Sequence, residues 1–261
     1  MMNANYIEFF FDCSSPWTYL SFNALKDLAE HHNVELIYKP ILVGGIFNSV
    51  NPSVYENRSK PIPIKEKYYL NDMQNWASCR EIDINWPSIF PINSVKAMRG
   101  CLYADLHNNL HEYALSIFKA YWTDDQDISS DKVLEDICLK NGIDSEKFFE
   151  FIDMPSTKQK LIDNSKDLIE KGGFGSPTFF YRDKMFFGND RLAGTPPPVL
   201  RLSGHGSLNY NSVPVVLQNF AEIMPADRDY IEVPGSGTLI PTFMPVTLNL
   251  MPIYSKNQIG N

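Results

Sequence analysis

An α/β protein is expected from this 261-residue chain, on three observations. A strand, a helix and a second strand follow one another within the first 40 residues. A helix and then a β-hairpin pattern occupy residues 156–192. The stretch between them has helical periodicity and almost no strand character.

The first strand is Tyr6 to Phe11 (YIEFFF), short, apolar and aromatic, as a buried strand should be. From Pro16 onward Trp17, Leu20, Ala24, Leu25, Leu28 and Ala29 recur at helical spacing. Ser15 stands where an N-cap belongs, and Pro16 where a first-turn proline is tolerated. Asn33 ends this helix, and Val34 to Lys39 (VELIYK), closed by Pro40, reads as the second strand. Gly44-Gly45 through Pro63, with Pro52 and Pro61, is expected to be a loop. Helices are expected near 64–79, 93–109, 111–123, 130–141, 144–153 and 157–171, with Asp144 or Ser145 capping the one at 144–153. Thr178 to Tyr181, a turn at Arg182-Asp183, and Met185 to Phe187 make the hairpin.

No internal repeat is visible. The expected division is a β-α-β part over 1–55, a helical insertion over 56–155, an α-β-β part over 156–192 and a tail over 193–261. The tail differs in character, holding nine of the 18 prolines and seven charged residues. Its Pro196-Pro197-Pro198 run reads as a linker or polyproline segment. Val199, Leu202, Val213, Val215, Val216, Ile231, Val233, Leu239 and Ile240 suggest short strands there.

Apolar residues make up 44% and charged residues 21%, the composition of a globular protein with a real core. The net charge of −8 offers no basic surface for nucleic acid. No stretch reaches the ~18 apolar residues of a membrane span. Met1 to Tyr6 lacks the basic and apolar regions of a secretory signal. Cys13, Cys79, Cys101 and Cys138 are too scattered for a disulfide framework or a zinc set, so no metal and a reducing, cytoplasmic setting are expected.

The chemistry concentrates at "FDCSSPWTYL", residues 11–20. A strand running into a helix capped by Ser15 creates an anion site, because the first-turn amides lack intrahelical partners and the dipole is positive there. A thiolate held at this point is stabilised. Cys13 has no cysteine three positions away, so a dithiol mechanism is not expected; Ser15 alone also fits a plain N-cap. The second signal is Gly175-Ser176-Pro177-Thr178, where a proline entering a strand suggests a cis bond or a tight turn. The third is Gly188-Asn189-Asp190-Arg191: Asn189 and Asp190 suit a helix cap or the ammonium of a peptide-like ligand, and Asp190 suits a pair with Arg191.

These segments, "FFDCSSPWTYL", "FPINSVKAMRG" and "FGSPTFFYRDKMFFGNDRL", in this order, resemble the 2-hydroxychromene-2-carboxylate isomerase family, close to the kappa-class glutathione transferases within the DsbA-like thioredoxin superfamily. The resemblance runs from about residue 5 to 192. It implies a thioredoxin-like fold with an inserted helical domain, to which this chain adds an atypical Pro-rich C-terminal extension in place of the family's closing helix. It also implies glutathione as cofactor, a small aromatic-derived substrate and a homodimer. By the same resemblance Ser15 hydrogen-bonds the sulfur of glutathione, and Ser176 and Pro177 offer backbone to it. Asn189 and Asp190 take the γ-glutamyl end, and Asn51 and Lys65 complete the set, Lys65 toward the glycyl carboxylate.

Three functions compete: a glutathione-dependent isomerase, a kappa-type transferase conjugating small electrophiles, and a peptide-binding module without chemistry. Trp17 and Tyr19 suit an acceptor site or simple packing; Trp76, Trp86 and Phe90 suit a core or interface between helices. His31 and His32 suit a helix C-terminus, and Gly204-His205-Gly206-Ser207 matches no catalytic motif.

Overall fold

The computed structural model describes residues 5–192 in full, and within the rest the backbone of 200–204, 210–222, 230–232, 239–241 and 246–252. It divides into two compact units, 1–192 and 193–261.

The first unit opens with β1 (Tyr6–Phe11), α1 (Pro16–His31) and β2 (Glu35–Pro40). Much later come α9 (Pro155–Glu170), β3 (Thr178–Tyr181), β4 (Lys184–Phe187) and a 3₁₀ turn at Asn189–Leu192. The strands make one mixed sheet in the order β2-β1-β3-β4. β1 runs parallel to β2, as the α1 crossover demands, and antiparallel to β3, with Phe9 opposite Phe179. Arg182 takes φ 55 in the hairpin turn. This is the thioredoxin-like arrangement, and its strands and flanking helices fall within a few residues of the expected ones.

Between β2 and α9 lie α2 (Val43–Val50), α3 (Ser53–Ser59), α4 (Pro63–Arg80), α5 (Val95–Leu106), α6 (Leu110–Trp122), α7 (Asp131–Lys140) and α8 (Ser145–Asp153). Asp144 is the N-cap of α8, its carboxylate accepting from the Lys147 amide. α2 and α3 correct the expectation of a loop from Gly44 to Pro63. Gly44-Gly45 argues locally against a helix, but tertiary contacts override it. Ile46 is fully buried with Phe10, Ile41, Leu168 and Phe180, and the Val43 amide at the start of α2 donates to the Asp12 carboxylate at 2.9 Å.

One apolar core joins sheet and helices. Phe9, Phe11, Leu20 and Phe22 from β1 and α1 pack with Tyr113, Ile117, Phe118 and Trp122 of α6, all but fully buried. Each such side chain stabilises the fold by about 1.5–3 kcal/mol relative to exposure, so the end of β1 and the start of α1 are held firmly.

The second unit holds β5 (Leu200–Gly204), β6 (Tyr210–Glu222) and β9 (Val246–Pro252) in one antiparallel sheet, and β7 (Tyr230–Glu232) with β8 (Leu239–Pro241) in another. Most of the suggested tail strands lie in these elements. Val199, Val233, the triple proline and His205 to Ser207 lie outside the described residues.

Candidate functional site

The site is built where β1 ends, α1 begins and the chain enters β3. Ser15 is the N-cap of α1, and its Oγ accepts from the Thr18 amide at 3.3 Å. Its own proton goes to the Ser176 carbonyl, 3.1 Å away. Ser176 is joined to Pro177 by a cis peptide. The Ser176 hydroxyl accepts from the Asp12 amide at 3.0 Å and shares a 2.7 Å hydrogen bond with Thr18 Oγ1. Two distant segments are thus stitched together by buried serine and threonine hydroxyls.

The first turn of α1 leaves one donor over. Thr18 and Tyr19 amides go to the Ser15 carbonyl, and the Ser14 amide goes to Asp12 Oδ1. Pro16 has no N–H. The Cys13 carbonyl, which would serve the Trp17 amide in a longer helix, accepts the Trp122 indole at 2.9 Å instead. Among the described residues the Trp17 amide has no partner, and it sits at the positive end of the helix.

Asp12 is a site residue that sequence reasoning missed. Its carboxylate accepts from the Ser14 and Val43 amides, both at 2.9 Å, tying β1 to the entries of α1 and α2. Burial raises its carboxyl above the ordinary value, against the pull of those amide bonds. An acidic residue directly after a buried strand and before an N-cap was the only signal in the chain.

Cys13 is fully buried and free, with Met98 Sδ 3.3 Å from its amide. Burial, with Cys101 hydrogen-bonded beside it, pushes its thiol well up. A buried thiol with a raised pKa is a poor nucleophile.

Asn189 stands in the 3₁₀ turn that packs on α1, 2% exposed, and among the described residues neither its Oδ1 nor its Nδ2 has a hydrogen-bond partner. A buried amide left unpaired costs about 1–3 kcal/mol, so it is fit to receive a ligand. Gly188, at φ 99, donates its amide to the Pro177 carbonyl at 3.1 Å and so fixes this turn against the cis segment. Asp190 is exposed and pairs with Arg191 at 3.8 Å.

Asn51, the C-cap of α2, donates to the Phe174 carbonyl at 3.2 Å, two residues before Ser176. Lys65 is exposed in the first turn of α4, one turn before Tyr69 on the same helix face. Ser15 and Ser176 are bonded directly, Asn189 is tied to Pro177 through its neighbour Gly188, and Asn51 reaches only Phe174, whereas Asp190 and Lys65 are exposed. Tyr19 takes the packing alternative: it is 6% exposed and stacks on Phe118 at 5.2 Å. Trp17 is half-buried, its indole N–H donating to the Tyr69 hydroxyl at 2.9 Å. Trp86 is 44% exposed rather than a core residue.

The model of the DsbA-like thioredoxin domain matches residues 6–195. The chain is 29% identical over 191 residues to the 2-hydroxychromene-2-carboxylate isomerase of Pseudomonas sp. (strain C18), covering 71% of this chain and 86% of that protein. It is 26% identical over 203 residues to glutathione S-transferase kappa 1 of Homo sapiens, covering 71% and 87%. A solved 2-hydroxychromene-2-carboxylate isomerase structure superposes with a TM-score of 0.61 at 25% identity, covering 72% of this chain and 90% of that one. The chain belongs to the DsbA-like thioredoxin domain family.

Proposed function

We propose that this protein is a glutathione-dependent isomerase of the 2-hydroxychromene-2-carboxylate type. The observation that carries the reading is a serine, not a cysteine, at the N-cap of α1 facing Ser176, while the neighbouring Cys13 thiol is fully buried. Such a site offers donors to a thiolate and no sulfur of its own. The relatives' names supply the class of substrate and the cofactor.

Three features support glutathione as the group held there. The Trp17 amide and the Ser15 hydroxyl are donors at a helix N-terminus, suited to a sulfur anion. The Ser176 backbone, beside Pro177, suits a peptide-like ligand, and the unpaired Asn189 amide suits its polar end. Asn51, Lys65 and Asp190 are assigned to the remaining charged groups of glutathione. Bound glutathione would supply the nucleophilic thiolate that adds to the conjugated acid and leaves again. Ser15 would hold and orient that sulfur, and the packed core behind Cys13 would keep the protein's own thiol out of the reaction.

A kappa-type transferase would use the same sulfur site and differ in what becomes of glutathione. Following free glutathione during turnover separates the two: an isomerase leaves it unchanged, a transferase consumes it. Absence of any glutathione-dependent turnover, with extended peptides bound instead, would favour a binding module. The same reading carries the homodimer; sedimentation at the mass of one chain at micromolar concentration would contradict it.

A further inference from the structure

A chain of aromatic side chains starts beside Ser15, with one cation in it, and its far end returns to Ser176. Trp17, two residues after Ser15, donates to Tyr69 at 2.9 Å and meets its ring edge-on at 5.2 Å. Tyr69 meets Trp86 at 6.4 Å, and Trp86 meets Phe90 at 4.7 Å. The Arg58 guanidinium lies 5.1 Å from the Phe90 ring centre and 5.7 Å from that of Phe47. Phe47 in turn stands against Gly175, where an added Cβ would lie 3.7 Å from its ring. Gly175 leads into Ser176, which holds Ser15. Behind these rings Trp122 is fully buried, 6.1 Å from Trp86 and 6.3 Å from Phe90.

Tyr69 at 37% exposure and Trp86 at 44% present aromatic surface to solvent. Arg58 is exposed, and among the described residues no acid pairs with it. Burial raises the Tyr69 and Tyr121 hydroxyls, and Arg58 is an opposing positive charge on both. In a chain of net charge −8 this is an aromatic rim whose cation is Arg58, with Asp125, Asp12 and Asp127 acting on Tyr121 in the opposite sense. Stacked between two rings, a guanidinium keeps its edge free for a planar anion.

We propose that Arg58 is a specificity-determining residue that receives the carboxylate of a flat aromatic acid, whose ring lies on the Trp17–Tyr69–Trp86–Phe90 wall. The proposal rests on Ser15 as the thiolate site only in making the acid's partner glutathione. A guanidinium pairs with a carboxylate in a fixed fork, whereas the aromatic wall takes charged and uncharged rings alike.

The test is isothermal titration calorimetry of the full chain with naphthoate and with its methyl ester, which share a ring system and differ in charge. Wild type should bind naphthoate more tightly than the ester. Arg58→Gln should weaken naphthoate about tenfold, the loss of one charge-assisted contact at a partly solvated position, and leave the ester and glutathione unchanged. Arg58→Lys should restore part of the naphthoate affinity. Equal loss of both probes, loss of neither, loss of glutathione binding instead, or no naphthoate binding by wild type would each overturn the proposal. A protein that binds naphthoate in this pattern but shows no affinity for glutathione would uphold Arg58 and defeat the thiolate reading. The two failures are therefore distinguishable.

Discussion

Replacing Ser15 by alanine removes one hydroxyl with two engagements: it donates to the Ser176 carbonyl at 3.1 Å and accepts from the Thr18 amide at 3.3 Å. A glutathione thiolate would compete for the single proton. A hydrogen bond to a charged group is worth about 1.5–3 kcal/mol and the neutral bond given up about 0.5–1.5 kcal/mol. The exchange alone therefore favours the thiolate by about 1–1.5 kcal/mol. If a ligand amide takes over the Ser176 carbonyl, the whole charged bond is gained. At about 1.36 kcal/mol per pKa unit, Ser15→Ala should raise the bound thiol's pKa by about 1–2 units. It should not abolish binding, because the Trp17 amide and the helix dipole stay. Loss of the cap should cost about 1 kcal/mol of stability, so unfolding must be measured first. The assay is the ultraviolet absorbance of the thiolate against pH with saturating glutathione, in wild type and variant. A bound thiol titrating at the same pH in both folded proteins would refute the role given to Ser15.

Cys13→Ala should leave turnover nearly intact, and thiol reagents should modify exposed Cys79 in the native protein while sparing buried Cys13; an inactive Cys13→Ala beside a fully active Ser15→Ala would reverse the assignment. Asn189→Ala should lower glutathione affinity about tenfold while leaving the melting temperature unchanged or higher, since among the described residues its amide has no partner to lose; a large drop in melting temperature would show the amide to be structural. Asp12→Ala strands two amides and should cost about 2–4 kcal/mol by chemical denaturation, and a near-neutral result would contradict its tie to α2. Because burial raises the Asp12 carboxyl in the folded state, the proton-linked part of its effect, separate from the amide bonds, favours the fold fully below the ordinary value of 3.8 and is lost as pH rises through the elevated native value. Asp12→Asn should flatten that part of the stability–pH curve, and an unchanged slope would count against it.

Local signals were enough for the strands and most helices. An aromatic run, Ser15-Pro16 before a helical stripe, and paired short strands around Arg182-Asp183 are written in neighbouring residues, and the fold uses them as they stand. The Ser15 cap belongs to the same class, because an N-cap depends only on the residues that follow it. The segment from Gly44 to Pro63 is different. Its glycines and prolines argue for a loop, and burial of Ile46 and the reach of Asp12 across to Val43 hold its first part, α2, as a helix. Tyr19 illustrates the same limit, since helical spacing could not say that its ring would stack on Phe118 rather than face the site.

What only the tertiary structure decided is the company each site residue keeps. Ser15 and Ser176 are 161 residues apart and share a hydrogen bond because β1 and β3 are neighbours in the sheet. Asn189 is identifiable as a polar residue in a turn, but its unpaired amide exists only because the 3₁₀ turn packs on α1. Arg58 carries no motif at all; its place between Phe47 and Phe90 arises from helices that the chain's own glycines and prolines argue against. Periodicity and capping are set by residues a few positions apart, whereas burial, pKa and partner choice are set by whatever the fold brings alongside.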